Sequence, residues 1–260
     1  MSRSDFPLGF IYSIPPRART TSLGDHLAAK ITDNGRCQTL LDALCSTTAP
    51  ALWSPDLNRP PVDHLTVKRF IQSFVLPTSR KPLGPNDRVM MALPTGPENA
   101  IALLAVAAYH TCAPINASCT AGELRDDAIR LHAKAIVTTR DAAERLDVRA
   151  LKHEEGMEII FIEARHTGPA GLFDMTLLDG EASQSRRPSA LHGLEHQSLV
   201  LHTSGTSGKK KVVPYSLRHL IVGTCCVVQS WNLRPESVNS ECHTEVHKVD
   251  FLTLADTTSQ

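Results

Sequence analysis

The 260 residues carry 27 lysines and arginines against 27 aspartates and glutamates, so no net field points to nucleic acid or to an anionic membrane. An apolar share of 42% suffices for a buried core in one large domain or two small ones. The longest apolar run, 100–109, is about half the roughly 18 residues that a membrane span needs, so none is expected.

The chain opens on "MSRSDFPLGFIYSIPPRAR", whose short apolar patch is broken by Pro7, Pro15 and Pro16 and lacks the apolar core and cleavage site of a secretory leader. Ser259-Gln260 is no peroxisomal address, and a cytoplasmic location is expected. Three strand–helix alternations follow: a strand over 88–93 and a helix over 97–109, a short strand over 112–115 and a helix over 121–132, a strand over 134–139 and a helix over 142–151. Another strand is expected over 158–163. The helix over 97–109 is apolar on nearly every face, which predicts burial between a sheet and other elements. Alternation of this kind implies an α/β fold with a parallel sheet covered on both sides. Residues 164–193 read as a connector with one apolar run, 172–178. A strand over 199–201, a second over 211–215 and a helix over 217–231 close the readable part.

Seven cysteines, an odd number, stand at no zinc spacing in the body of the chain. Cys112, Cys225 and Cys226 fall inside apolar patterns and read as buried thiols. Cys242, His243, Glu245 and His247 form the one cluster with metal-ligand residue types, but no second pair accompanies them, and no metal site is assigned.

The stretch "LVLHTSGTSGKKKVVPYS", 199–216, places six hydroxyl or glycine residues and three lysines directly after a strand. Taken apart, these are a turn and a solvated basic cluster. Together they fit an anion-binding nest, in which a flexible loop turns backbone N–H groups inward and a lysine adds a point charge. The nucleoside triphosphatase loop, G-x-x-x-x-G-K-[ST], does not fit: Thr203 stands for its first glycine and Lys210 for its closing hydroxyl.

Thr203-Ser204-Gly205-Thr206-Ser207-Gly208, with Lys211, resembles instead the signature T-S-G-T-[TS]-G-x-P-K-G of the adenylate-forming superfamily, which includes acyl-CoA synthetases and adenylation domains. Lys210, Val212 and Leu217 depart from it, and Arg218 falls where many members carry an arginine. Upstream, Asn86-Asp87-Arg88-Val89, Leu93-Pro94, Ala113-Pro114-Ile115-Asn116 and Ala121-Gly122-Glu123-Leu124 resemble the same family in the same order. The resemblance implies a tail over 1–19, the N-terminal portion of the large AMP-binding domain over 20–234, with a mostly parallel but incomplete sheet, and an unmatched, disordered tail over 235–260.

In function, the resemblance implies ATP-dependent activation of a carboxylic acid as an acyl-adenylate, with CoA or a carrier-protein thiol as acceptor, and with ATP and magnesium as cofactors. Thr203, Ser204, Gly205, Thr206, Ser207, Gly208 and Lys211 would hold the ATP phosphates. His202 reads as a structural cap of the strand. The family's glutamate that contacts magnesium, its ribose-binding aspartate and its adenylating lysine have no match, so no catalytic residue is assigned and the chain is expected to be a truncated part, inactive alone. The rival reading is a non-catalytic nucleotide-binding fragment or interaction module.

Overall fold

The computed structural model describes residues 37–56, 58–79, 82–180, 190–203 and 211–231. The expected tails over 1–19 and 235–260, with the Cys242–His247 cluster, lie outside the described residues.

A short helix α1, Leu40–Ala43, begins at Thr39, whose backbone N–H donates to Asp42 at 2.8 Å. Strands β1, Pro50–Leu52, and β2, Val62–Asp63, form a small antiparallel pair. Helix α2, His64–Gln72, starts where Asp63 accepts the Thr66 N–H at 2.7 Å, and it buries Val67 and Ile71. Helix α2 ends at Gln72, where the Tyr109 hydroxyl donates toward the carbonyls of Ile71 and Gln72 at 3.1 Å each.

The main sheet has seven strands among the described residues: β3, Arg88–Ala92; β4, Thr111–Pro114; β5, Ala135–Thr138; β6, Glu158–Ala164; β7, Phe173–Leu177; β8, Gln197–Thr203; and β9, Lys211–Ser216. Their order is β7-β6-β5-β3-β4-β8-β9. The pairs from β6 through β8 are parallel, while β7 and β9 join antiparallel at the two edges. The fold is therefore mixed α/β with a mostly parallel sheet flanked by helices, as expected. The run over 172–178, read as part of a connector, supplies the edge strand β7.

Alternate residues of each strand serve opposite faces. Val89 and Met91 of β3 join the core that includes α1, α2, helix α3 (Pro97–Tyr109) and helix α7 (Leu217–Ser230). Met90 and Ala92 join the core beneath α4 (Ala121–Leu131), α5 (Arg140–Arg145) and α6 (Val148–Glu155). Helix α3 buries ten of its residues, as an all-round apolar sequence requires, with Pro97 at its first position. Helix α4 is opened by a reciprocal cap, Thr120 with Glu123.

One expected helix is two. Leu146 and Val148 are each 1% exposed, yet two residues along an α-helix point to nearly opposite sides. A left-handed Asp147, φ 48°, breaks the run so that both reach the core, giving α5 and α6 in place of a helix over 142–151.

Candidate functional site

Strand β8 alternates between the two cores: Leu199 and Leu201 pack on the α3 side and Val200 on the α4 side. It lies parallel to β4 and antiparallel to β9, with Val200 opposite Pro214, His202 opposite Val212 and Thr203 opposite Lys211. Pro214 has no N–H to give a ladder, and an edge strand is where that is tolerated.

The hairpin therefore has its mouth at Thr203 and Lys211, at the carboxyl end of a parallel strand. That end of an open α/β sheet is where ligands bind, because loops leaving neighbouring strands diverge there. Lys211 is exposed at this mouth. Of the residues singled out by sequence, Thr203 closes β8 and Lys211 opens β9, whereas Ser204, Gly205, Thr206, Ser207 and Gly208 lie outside the described residues. Arg218 is not brought to the mouth: it follows Ser216, which pairs with Gln197 at the other end of the hairpin, and it meets Glu195 at 2.6 Å.

An exposed ammonium at the edge of a strand pair, such as that of Lys211, can reach an anion without desolvation of its own. Among the described residues no group of three or more His, Cys, Asp or Glu side chains is placed to hold a metal.

Behind the mouth, sequence reasoning misses the approach of a histidine to a carboxylate. His202 on β8 faces Asp127 on α4, Nδ1 to Oδ2 at 3.7 Å, with side chains 12% and 4% exposed. Asp127 sits with Leu124, Ala128 and Leu131 on the buried stripe of α4, so a carboxylate at a core-facing spacing is the signal that could have flagged it.

The other end of the hairpin, at the amino ends of β4 and β8, holds imidazoles whose burial disfavours the proton. His192, buried, lies with Nε2 2.9 Å from the Pro85 carbonyl and Nδ1 3.3 Å from the Ser198 hydroxyl, and it stacks on His196 at 5.0 Å. Burial pushes its imidazole down to about 4, with His196 and His110 nearby adding to the depression. Burial likewise lowers His110, whose Nδ1 lies 2.9 Å from the Gly84 carbonyl. Burial raises the thiol of Cys112 far above its usual range and that of Cys225 to about 12, which makes both inert packing groups.

A family model described as AMP-binding enzyme matches residues 79–250. Among solved structures, a long-chain-fatty-acid-CoA ligase, FadD1, from Archaeoglobus fulgidus is similar at 16% identity and a TM-score of 0.54, over 83% of this chain and 40% of that one. The nonribosomal peptide synthetase FmoA3, bound to alpha-methyl-L-serine-AMP, is similar at 17% identity and a TM-score of 0.54, over 86% of this chain and 21% of its own. An ATP-bound RpMatB-BxBclM chimera is similar at 23% identity and a TM-score of 0.50, over 67% and 34%. At these identities the likeness is one of fold. The chain spans less than half the length of each of these structures. No helix among the described residues is long and apolar enough to cross a membrane.

Proposed function

The chain belongs to the AMP-binding enzyme family, and on that premise we propose that it supplies the polyphosphate-holding part of an enzyme that activates a carboxylic acid as an acyl-adenylate. In that reaction a carboxylate oxygen attacks the α-phosphorus of ATP. The bond from that phosphorus to the bridging oxygen breaks, and pyrophosphate leaves with the electron pair. The sulfur of a thiol, of CoA or of a carrier protein, then attacks the acyl carbon and gives up its proton, the bond from that carbon to the phosphate oxygen breaks, and AMP leaves.

Ser204, Thr206 and Ser207, with the backbone N–H groups of Gly205 and Gly208, cradle the β- and γ-phosphates in this reading, and Lys211 offsets their charge. Thr203 anchors the strand end from which the loop departs. The observation that carries the reading is the hairpin register, which sets Thr203 opposite Lys211 at the carboxyl mouth of the parallel sheet, within the matched residues 79–250. The similar structures bound to ATP and to an aminoacyl-AMP support a nucleotide as the ligand. Magnesium, which the family uses, finds no carboxylate cluster among the described residues, and no step is assigned to it here.

Calorimetric titration of inorganic pyrophosphate and of ATP against three single variants tests the site. Lys211→Ala weakens binding by roughly tenfold or more, the size of one charge-assisted hydrogen bond. Lys209→Ala and Lys210→Ala each weaken it by about twofold, as solvated neighbours do. Equal losses in all three would reduce the loop to a nonspecific basic patch.

A further inference from the structure

Asp127 stands in the apolar stripe of α4 and is 3% exposed. Desolvation there is costly unless positive charge lies close. Among the described residues, Nδ1 of His202 lies 3.7 Å from Oδ2 and the Arg130 guanidinium 3.7 Å from Oδ1, both within ion-pair reach. Both separations exceed a direct hydrogen bond, so charge is what couples the groups at these two contacts. Their surroundings differ, however. Arg130 is 39% exposed and screened by solvent, whereas His202 is only 12% exposed.

The position of the pair gives it a consequence. His202 immediately precedes Thr203, and in the hairpin it sits opposite Val212, next to Lys211. A buried carboxylate therefore stands behind the strand from which the proposed phosphate loop departs. Left uncompensated, it repels the polyanion that the loop is there to hold, through a medium that screens less than water does. Among the described residues, the charged groups at this pair are Asp127 and Arg130 on α4 and Lys211 on β9, and of the side chains named here the imidazole is the type that gains or loses a proton near neutrality.

We propose that His202, carrying a proton, is the counter-charge that masks Asp127 from the polyphosphate, and so sets ligand affinity without touching the ligand. This deepens the polyphosphate reading of the hairpin and rests on it. In this arrangement His202 is more than the cap of a strand. It converts a local electrostatic penalty, built into the packing of α4 on the sheet, into a neutral pair.

A double-variant cycle read by calorimetry with inorganic pyrophosphate tests it, using the wild-type chain, His202→Gln, Asp127→Asn and the two together. His202→Gln weakens binding by roughly three- to tenfold at low salt, the effect of one unmasked charge on a multivalent anion, and the loss shrinks as salt is raised. Asp127→Asn binds as tightly as wild type or tighter. The double variant returns to within about twofold of wild type, because the charge to be masked is gone. Relative to His202→Gln, which carries only the ligand's own titration, wild-type affinity also falls as pH rises past the histidine range.

A double variant no better than His202→Gln overturns the proposal and leaves His202 a packing residue. If that happens while Lys211→Ala still abolishes most binding, the polyphosphate reading stands and only the role of His202 falls. If the wild-type chain binds no pyrophosphate, both fall. Should His202→Gln not fold, the wild-type chain decides by linkage: saturating pyrophosphate makes the His202 ring hold its proton to higher pH in an NMR titration, and an unmoved titration overturns the proposal.

Discussion

Replacing Glu98 by alanine removes an oxygen that serves two donors at once. Oε1 receives Nη1 of Arg59 at 2.6 Å and the backbone N–H of Gly171 at 3.1 Å, while Nη2 of Arg59 donates to the Pro169 carbonyl at 3.1 Å. Three segments meet there: the connection from β1 to β2, the first turn of α3, and the turn from β6 to β7. The side chains of Arg59 and Glu98 are 8% and 19% exposed, so the pair is mostly desolvated. Removing one partner of such a pair costs about 3–5 kcal/mol, because the other charge stays buried. Partial exposure of Glu98 draws the figure toward the lower end. A loss of about 3 kcal/mol lowers the melting temperature of a domain this size by roughly 6–12 °C. Urea and thermal unfolding of Glu98→Ala read the cost directly. Adding Arg59→Met to that variant removes the stranded guanidinium and keeps its volume, so the double variant recovers to within about 1 kcal/mol of wild type. A Glu98→Ala chain within about 1 kcal/mol of wild type, or a double variant that loses the sum of the two single losses, refutes this account.

The buried imidazoles set an acid limit. The folded value of His192, about 4, lies below the unfolded value of about 6.5, so the unfolded chain binds the extra proton first; stability is full above the unfolded value and falls as pH drops from it toward the folded one, by roughly 3 kcal/mol. The depression of His110 adds to the fall, and urea midpoints measured across this window in wild type and His192→Gln give the slope, which flattens in the variant. Gly171 sits at φ +81°, where a Cβ would come within 3.0 Å of the Pro97 carbonyl oxygen and 2.6 Å of Ile101 Cδ1; Gly171→Ala is expected to lower stability by about 1–3 kcal/mol in the same melts. The 260-residue polypeptide is expected to show no ATP–pyrophosphate exchange above background with any acid of a broad panel, since phosphate binding without a positioned carboxylate leaves most of the barrier in place.

The parts of the fold legible in the sequence are those whose signals are local. Helix α3 has the expected bounds because Gly96-Pro97 opens it and an unbroken apolar run can pack only inside, between sheet and helices. The strands of the parallel sheet are short apolar runs between helices, and alternation alone implies their direction. What escapes this reading depends on tertiary pairing. The five residues of β7 include Asp174 and Thr176, and they become a strand because β6 offers an edge with matching register. The division of α5 from α6 is set by two neighbouring apolar residues that a single helix would send to different sides.

The same distinction governs the site. The placement of Thr203 and Lys211 is legible because hydroxyl, glycine and lysine residues between two β-prone runs describe a hairpin. The pair of Asp127 and His202 is not, since each residue type is ordinarily solvated or structural where it stands. Only the placing of α4 over the α4-side face of the sheet brings them within 3.7 Å. A carboxylate at a core-facing helical spacing calls for a cation from elsewhere in the chain, and in the proposed polyphosphate reading the strand that feeds the loop is the place where that cation does most. Charge compensation of this kind is written across elements that are distant in sequence, so the loop is readable in one dimension and its electrostatic setting only in three.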